Sequence, residues 1–191
     1  MAEILVLYYS AGGSVRRMAE FVSQGVERVP GAQAKIRTVP EIGAQGPAGE
    51  GAPYCELEDL ETCAGLALGS PARFGNMGGP MKAFLDRTVP LWMKGALVGK
   101  PASVFTSTGS LHGGQESTLV SMMLPLLHHG MLIVGVPYTN AELMTTRTGG
   151  TPYGTSHHAG FADDQPISDA ERALCVAQGK RLAEVALKLK A

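Results

Sequence analysis

The sequence has little of what marks secreted, nucleic-acid-binding or membrane proteins. Its 191 residues include only three cysteines, scattered at Cys55, Cys63 and Cys175, which argues against a disulfide framework or zinc site and predicts buried thiols. Charged residues make up 17%, the net charge is -1, and no basic run would attract nucleic acid or a membrane surface. No apolar stretch approaches the ~20 residues of a spanning helix, and no signal-peptide pattern is present. We therefore expect a cytoplasmic protein without nucleic-acid or membrane partners.

Apolar segments alternate with segments of helical periodicity along the chain. Strands are predicted at residues 4–9, 32–38, 63–69, 102–106 and 131–136. Helices are predicted between them and after residue 168, where Ser168 and Glu171 have the spacing of a capping box. This alternation predicts a parallel, doubly wound, three-layer α/β sheet in a single domain, residues 1–191.

Two connections are longer than a tight turn. Residues 40–56 are rich in glycine and proline and predict an exposed, adaptable loop. Residues 137–167 carry Tyr138, Tyr153 and Phe161, and loops of this length are usually functional or disordered. We interpret this second segment as a loop that covers a ligand or contacts another subunit; a flexible insertion is the alternative.

Three polar, glycine-rich loops follow the first, third and fourth predicted strands. Such loops lie at the carboxyl edge of a parallel sheet, where ligands bind. Each one alone could be a plain turn, but three at one edge favour a ligand site. Their candidate binding residues are Ser10, Ala11, Gly12, Gly13 and Ser14; Ala72, Arg73, Phe74, Gly75 and Asn76; and Ser107, Thr108, Gly109, Ser110, Leu111, His112 and Gly113.

The chemistry of these loops suits a flavin mononucleotide. The first loop offers hydroxyl groups and opens a helix, whose N-terminus attracts anions. It lacks the lysine of a Walker motif and the Gly-x-Gly-x-x-Gly fingerprint, which argues against a nucleoside triphosphate and a dinucleotide. Arg73 and Phe74 can lie against a planar ring. The third loop can wrap a ring or ribityl chain with backbone N–H groups.

Longer motifs in family order add a resemblance that spans nearly the whole chain. The runs PARFGNM at residues 71–77, HHGM at residues 128–131 and GGTPYG at residues 149–154 are among the matching stretches. On these motifs the chain resembles the WrbA family of flavodoxin-like, FMN-dependent NAD(P)H:quinone oxidoreductases. The resemblance implies a flavodoxin-like three-layer sandwich with a five-stranded parallel sheet in the order 2-1-3-4-5.

The resemblance also implies an activity and a set of roles. Hydride transfer would run from NAD(P)H to FMN and then to a quinone, by a ping-pong mechanism in a homotetramer. FMN would be held by Ser10 to Val15, by Ala72 to Phe74 and by Ser107 to Gly113. His128 and Trp92 would line the place where nicotinamide or quinone meets the flavin.

Three features depart from the family pattern. Gly12 stands where relatives usually carry an aromatic residue tied to the nicotinamide nucleotide, so a stacking surface is missing. The third loop is one residue longer, with Leu111 and His112 where small residues are usual. The loop at residues 40–56 is shorter.

Other functions fit the sequence less well. A flavodoxin-type electron carrier is the main alternative, although long-chain flavodoxins are strongly acidic and this chain is not. A protein-binding regulator is a second alternative. The adjacent His128 and His129 point about 100° apart on a helix, so no metal site is predicted there.

The predicted topology separates two parts of the proposed active site. The three loops follow strands and lie at the carboxyl edge, whereas His128 and Trp92 come just before strands and belong to the opposite pole. They can line a flavin site only in a neighbouring chain, so we expect a homo-oligomer in which subunits share each site.

Overall fold

The computed structural model describes residues 1–44 and 51–190. Its elements, in chain order, are β1 (Ala2–Tyr8), α1 (Ser14–Glu27), β2 (Ala32–Thr38), α2 (Leu57–Thr62), β3 (Gly65–Arg73), β4 (Asn76–Met77), α3 (Gly79–Asp86), α4 (Val89–Met93), β5 (Pro101–Thr108), α5 (Gln115–His128), β6 (Leu132–Ile133), α6 (Glu142–Thr145), β7 (Thr155–His158) and α7 (Asp169–Lys190). Residues 45–50 of the predicted loop 40–56 lie outside the described residues. None of the described helices is long and apolar enough to cross a membrane.

The main sheet is parallel, with the order β2-β1-β3-β5-β6, which confirms the predicted flavodoxin-like class. The predicted number of five strands was wrong, because the sheet has seven strands within residues 1–44 and 51–190. One addition is β4, which turns back on β3 as an antiparallel hairpin. The other is β7, which pairs with β5 in parallel.

Side chains of β1 alternate between two cores. Leu5 and Leu7 pack into the core on the α3 and α5 side of the sheet, whereas Ile4 and Val6 pack into the core beneath α1 and α7. Successive side chains of a strand point to opposite faces, so a strand apolar at every position is buried on both sides. The continuous apolar run therefore places β1 in the middle of three layers.

The helices α1 and α7 touch through two glycines. A Cβ on Gly179 would lie 1.9 Å from the Val22 carbonyl oxygen, and one on Gly25 would lie 2.1 Å from that of Val176. Neither position has room for a side chain, so the two backbones approach closely. This contact fixes the position of α1 against α7, and with it the position of the start of α1.

The edge of the sheet beside β5 is built from two short strands. The predicted strand 131–136 contributes only Leu132 and Ile133, which pair with the start of β5. The prediction that this strand continues to residue 136 was wrong. Val136 N–H donates to Pro152 O at 3.0 Å, and β7 pairs with the second half of β5 instead. The predicted loop 137–167 therefore contains α6 and β7.

The strand β7 is held by buried polar side chains rather than by an apolar core. Gln178 of α7 accepts hydrogen bonds from the N–H and the hydroxyl of Thr155, each at 2.7 Å. Glu171 is 1% exposed and accepts from Ser168 N–H at 2.7 Å, Gly149 N–H at 2.8 Å, and His158 N–H and His157 Nδ1 at 3.0 Å each. The capping box predicted at Ser168 and Glu171 is thus present, and its carboxylate also ties β7 to α7.

Burial alone would raise the pKa of Glu171, but hydrogen bonds from His157, Ser168 and His158 outweigh it and lower the pKa to about 2. A pKa below its unfolded value of 4.5 means that the carboxylate stabilises the fold above about pH 4.5. That contribution is lost as the pH falls toward 2. We expect Glu171→Ala to lower the free energy of unfolding at pH 7 by about 3–5 kcal/mol, as for other broken buried pairs.

Urea unfolding at pH 7 and at lower pH tests this prediction. The matched control is Asp169→Asn, because the Asp169 side chain is 99% exposed in the same helical turn. The stability gap between the Glu171→Ala variant and the unmodified chain should narrow as the pH drops below 4.5. A gap under about 1 kcal/mol at pH 7, or one that does not change with pH, would contradict the role given to Glu171.

Candidate active site

The three predicted loops meet at the carboxyl edge of the sheet. They line a cavity of about 200 Å³ with Ala11 and Gly12 from the first loop, Pro71–Arg73 from the second and Ser107–Gly109 from the third. A fourth segment completes the lining with Ala159–Phe161 and Asp163. Four segments distant in the sequence thus converge where parallel sheets bind ligands.

The first loop leads directly into α1. Gly13 is the N-cap residue and has φ 101°, a left-handed conformation that favours glycine. No side chain caps this helix end, and Ser10 Oγ accepts from Gly13 N–H at 3.1 Å. The loop therefore presents hydroxyls and helix N–H groups, the donor set that binds an anion.

A second cavity, of about 390 Å³, shares Ala11 and Gly12 of the first loop with the 200 Å³ cavity. Tyr8, Tyr9, residues 10–13 and Arg16 contribute to its wall, together with Tyr54. Tyr9 donates its hydroxyl to Glu41 at 2.8 Å. Burial, with this hydrogen bond and the charge of Glu41, raises the pKa of Tyr9 to about 12. The tyrosine is thus a neutral hydrogen-bond donor at physiological pH.

The second loop, predicted to follow a strand that ends at residue 69, is a tight hairpin. The strand β3 continues to Arg73, and Asn76 pairs with it after a turn at Phe74 and Gly75. Both turn residues have positive φ, 52° and 75°, and the ring of Phe74 is fully exposed. A non-glycine residue in this conformation is strained, which is common at functional sites.

The third loop begins later than predicted, because Ser107 and Thr108 still belong to β5. Thr108 Oγ1 donates to Ser110 O at 2.9 Å, and Gly113 N–H donates to the same carbonyl at 3.1 Å. A Cβ on Gly113 would lie 2.7 Å from Ser110 Oγ, so the turn leaves no room there for a side chain. Leu111 and His112 are the two central residues of this turn, and both are exposed.

The structure separates the predicted cofactor residues into three groups. Seven of them line the 200 Å³ cavity: Ala11, Gly12, Ala72, Arg73, Ser107, Thr108 and Gly109. Ser10 and Gly13 line only the 390 Å³ cavity, whose wall also includes Ala11 and Gly12. The rest are close to these in the chain without being part of either wall: Ser14, Val15, Phe74, Gly75, Asn76, Ser110, Leu111, His112 and Gly113. Their roles toward a cofactor stay predictions.

The fourth segment was not among the predicted cofactor residues. Ala159 N–H donates to Thr108 O at 2.8 Å, and Gln165 N–H donates to Ala159 O at 2.9 Å, which closes a turn against the third loop. Asp163 Oδ1 accepts from Ser14 Oγ at 2.6 Å, which joins the turn to the first loop. The only sequence signal was the length of the segment 137–167 and its exposed aromatic residues.

Trp92 and His128 line a different cleft, of about 400 Å³, between α4 and the end of α5. His129 is buried at its base, and its Nε2 lies 2.8 Å from the hydroxyl oxygen of Thr88. Since that hydroxyl donates to Leu85 O at 2.6 Å, it accepts from His129. Burial, with the charge of His128, lowers the pKa of His129, so its ring is neutral at pH 7.

This cleft is far from the three loops of the same chain. The helix α5 begins at Gln115, beside the third loop, and ends at His128. Its 14 residues span about 20 Å at the usual helical rise. Among the described residues, the cleft shares no lining residue with either cavity at the carboxyl edge. One chain therefore does not bring Trp92 or His128 to its own loops.

Comparison with known proteins identifies the family. The model of the family described as NADPH-dependent FMN reductase matches residues 3–144. The chain belongs to this family. Relatives named NAD(P)H dehydrogenase (quinone) are 45% identical in Solidesulfovibrio magneticus, over 98% of this chain and 99% of the relative, and 46% identical in Syntrophus aciditrophicus, over 98% of both.

Solved structures agree with the fold of this FMN reductase family member. A flavodoxin-like WrbA-like protein from Agrobacterium tumefaciens superposes with a TM-score of 0.73 at 22% identity, covering 98% of this chain and 99% of that one. Oxidised flavodoxin 1 from Bacillus cereus superposes with a TM-score of 0.63 at 15% identity, covering 96% and 98%. The resemblance to the WrbA family is confirmed, as is the prediction of an enzyme of this class with FMN as its cofactor.

The residues at the carboxyl edge fit FMN. The uncapped start of α1 and the hydroxyls of Ser10 and Ser14 suit a phosphate, and Gly109, which has no side chain, lines the cavity. Cys55, Cys63 and Cys175 are free and buried, as predicted, and burial raises the pKa of each thiol. In residues 1–44 and 51–190, no group of three or more His, Cys, Asp or Glu side chains is placed to hold a metal ion.

Proposed function

We propose that this family member is an FMN-dependent NAD(P)H:quinone oxidoreductase. The observation that carries the proposal is the convergence of three glycine-rich loops on one cavity at the carboxyl edge of the sheet. Relatives with the name NAD(P)H dehydrogenase (quinone) cover nearly the whole chain, which supports both substrates. A cytoplasmic location stays a prediction.

Different segments of the chain bind different parts of FMN. Residues 10–15 hold the phosphate, and the backbone of residues 72–74 and 107–113 holds the ring and ribityl chain. Bound FMN supplies the redox chemistry, taking a hydride from NAD(P)H and giving two electrons to a quinone. Backbone N–H groups of the second and third loops stabilise negative charge near the ring.

We propose that NAD(P)H and quinone occupy the same cleft in turn, in a ping-pong mechanism. In this mechanism both substrates meet the same face of the flavin ring, so the first product has to leave before the second substrate enters. Double-reciprocal plots at several fixed benzoquinone concentrations should therefore give parallel lines for NADH. Intersecting lines would show that both substrates bind together and would contradict the single cleft.

We propose a homotetramer in which a neighbouring chain completes each site with His128 and Trp92. The pole that carries them is unusually apolar: Val89, Trp92, Met93, Leu124 and Leu127 are each between 52% and 73% exposed. Clustered exposed apolar side chains mark interaction sites. Burial of this pole against other copies would bring Trp92 and His128 near a second chain's loops, in a closed symmetric assembly.

A flavodoxin-type electron carrier is the second candidate, favoured by the likeness to the Bacillus cereus flavodoxin fold. The net charge of -1 offers no acidic surface for docking to redox partners. Steady-state NADH oxidation separates the two functions. The oxidoreductase should consume NADH rapidly only when benzoquinone is present. A flavin-loaded protein that oxidises neither NADH nor NADPH in the presence of benzoquinone would support the carrier.

A further inference from the structure

A carboxylate already occupies the start of α1. Asp163 Oδ1 accepts from Ser14 Oγ at 2.6 Å, and Ser14 Oγ in turn accepts from Arg17 Nη2 at 2.8 Å. Asp163 also lies against Gly12, since a Cβ built on that glycine would come within 1.8 Å of Asp163 Oδ2. The carboxylate therefore sits on the loop that is proposed to hold the FMN phosphate.

The backbone of the turn places the Asp163 carboxylate at the start of α1. Asp163 has φ 54°, a conformation that costs a non-glycine residue free energy. Its N–H donates to Gly160 O at 3.2 Å, and the bonds of Ala159 and Gln165 close the same turn on β5. Glycine at position 12 is the second requirement, because any side chain there would collide with Asp163.

A carboxylate and a phosphate bind the same kinds of hydrogen-bond donor at the start of α1. Both are oxyanions that accept from hydroxyls and from the N–H groups of a helix start. Two anions at contact distance repel each other, so the loop cannot hold both. The cavity of about 200 Å³ is also below the ~300–1,000 Å³ of ordinary ligand pockets, as expected if the turn fills part of the site.

We infer that Asp163 is a specificity-determining residue that makes every anion compete with an internal carboxylate for the phosphate loop. The inference rests on the proposed FMN site. A free phosphate ion has only the contacts of the first loop with which to displace Asp163, so it is excluded. A phosphate tethered to a flavin ring also gains the contacts of the second and third loops, so FMN displaces Asp163.

The apparent affinity for a ligand falls in proportion to the fraction of molecules in which its site is open. Removing the carboxylate should therefore strengthen FMN binding. We expect Asp163→Ala to lower the FMN dissociation constant about ten-fold, as for a site open in a tenth of molecules. Riboflavin, which has no phosphate, should bind the variant and the unmodified chain within about two-fold of each other.

Quenching of flavin fluorescence in the apoprotein measures both constants. Asp164→Ala is the matched control, because it removes the same charge from the same turn, and the Asp164 carboxylate accepts a hydrogen bond from Gln165 Nε2 at 3.4 Å, within that turn. It should leave FMN binding unchanged. Equal FMN affinity in the Asp163→Ala and Asp164→Ala variants, or weaker binding on loss of Asp163, would overturn the inference.

Inorganic phosphate tests the same idea without a flavin. Phosphate should raise the melting temperature of the Asp163→Ala apoprotein and leave that of the unmodified chain unchanged. Gly12→Ala should behave like Asp163→Ala in this assay, because its methyl group expels the carboxylate without changing any charge. Phosphate that stabilises none of these proteins, or all of them equally, would contradict competition by Asp163. Failure of the unmodified chain to bind any flavin would instead count against the proposed function.

Discussion

Replacing Gly13 by aspartate is expected to weaken FMN binding by at least about 100-fold, or about 3 kcal/mol. Gly13 caps α1 with φ 101°, where an L-residue is strained, and its side chain would add a negative charge where the phosphate binds. A Cβ at this position meets only Arg17 Nη1, at 3.5 Å, so the fold itself has room for the substitution. Titration of the apoprotein with FMN, followed by flavin fluorescence, measures the loss.

Gly31→Asp is the control for strain and charge. Gly31 also has a positive φ, 88°, and a Cβ there would make only an ordinary contact with Leu187, at 3.7 Å. It precedes β2 at the amino edge of the sheet, away from the three loops. The control should bind one FMN per chain with unchanged affinity. Unaltered FMN binding by the Gly13→Asp variant would show that the phosphate lies elsewhere.

Two inactive chains are expected to restore activity when they assemble together. One carries Arg73→Ala and Gly13→Asp and lacks a working flavin loop; the other carries His128→Ala and Trp92→Ala. Each alone should lose at least about 100-fold in quinone reductase activity, because each removes one part of every site. In a mixed assembly, some sites combine intact loops from one chain with His128 and Trp92 from another.

The control assembly mixes the Arg73→Ala, Gly13→Asp chain with a chain that carries all four substitutions. It has the same size and the same surfaces but contains no complete site, so it should stay inactive. Native mass spectrometry verifies that both mixtures contain mixed oligomers. Absence of recovery in verified mixed oligomers, or full activity in a verified monomer, would contradict sites shared between chains.

The parts of the fold that are buried in apolar side chains could be predicted from the sequence. The run at residues 4–9 fills cores on both sides of the sheet, as a continuous apolar run predicts for a central parallel strand. The strand β7 could not be found this way. Thr155 and His157 are fully buried, and the Thr155 hydroxyl and His157 Nδ1 form hydrogen bonds with Gln178 and Glu171, so hydropathy gives no signal.

The candidate site, like the fold, could be predicted only in part. Glycines and hydroxyls after three strands indicated the loops, and the direction of a parallel sheet brought them together. The contact between Ser14 and Asp163 joins residues 149 positions apart through a turn with unusual backbone geometry. No local pattern encodes such a contact, since it depends on how β7 lies beside β5.

An anaerobic spectral titration tests the central proposal most directly. The protein is loaded with FMN, freed of excess flavin and mixed with one equivalent of NADH without oxygen, and benzoquinone is then added. We expect the visible absorbance of oxidised flavin to disappear with NADH and to return fully with one equivalent of benzoquinone. A protein that binds no FMN, or whose flavin spectrum NADH and NADPH leave unchanged, would contradict an FMN-dependent NAD(P)H:quinone oxidoreductase.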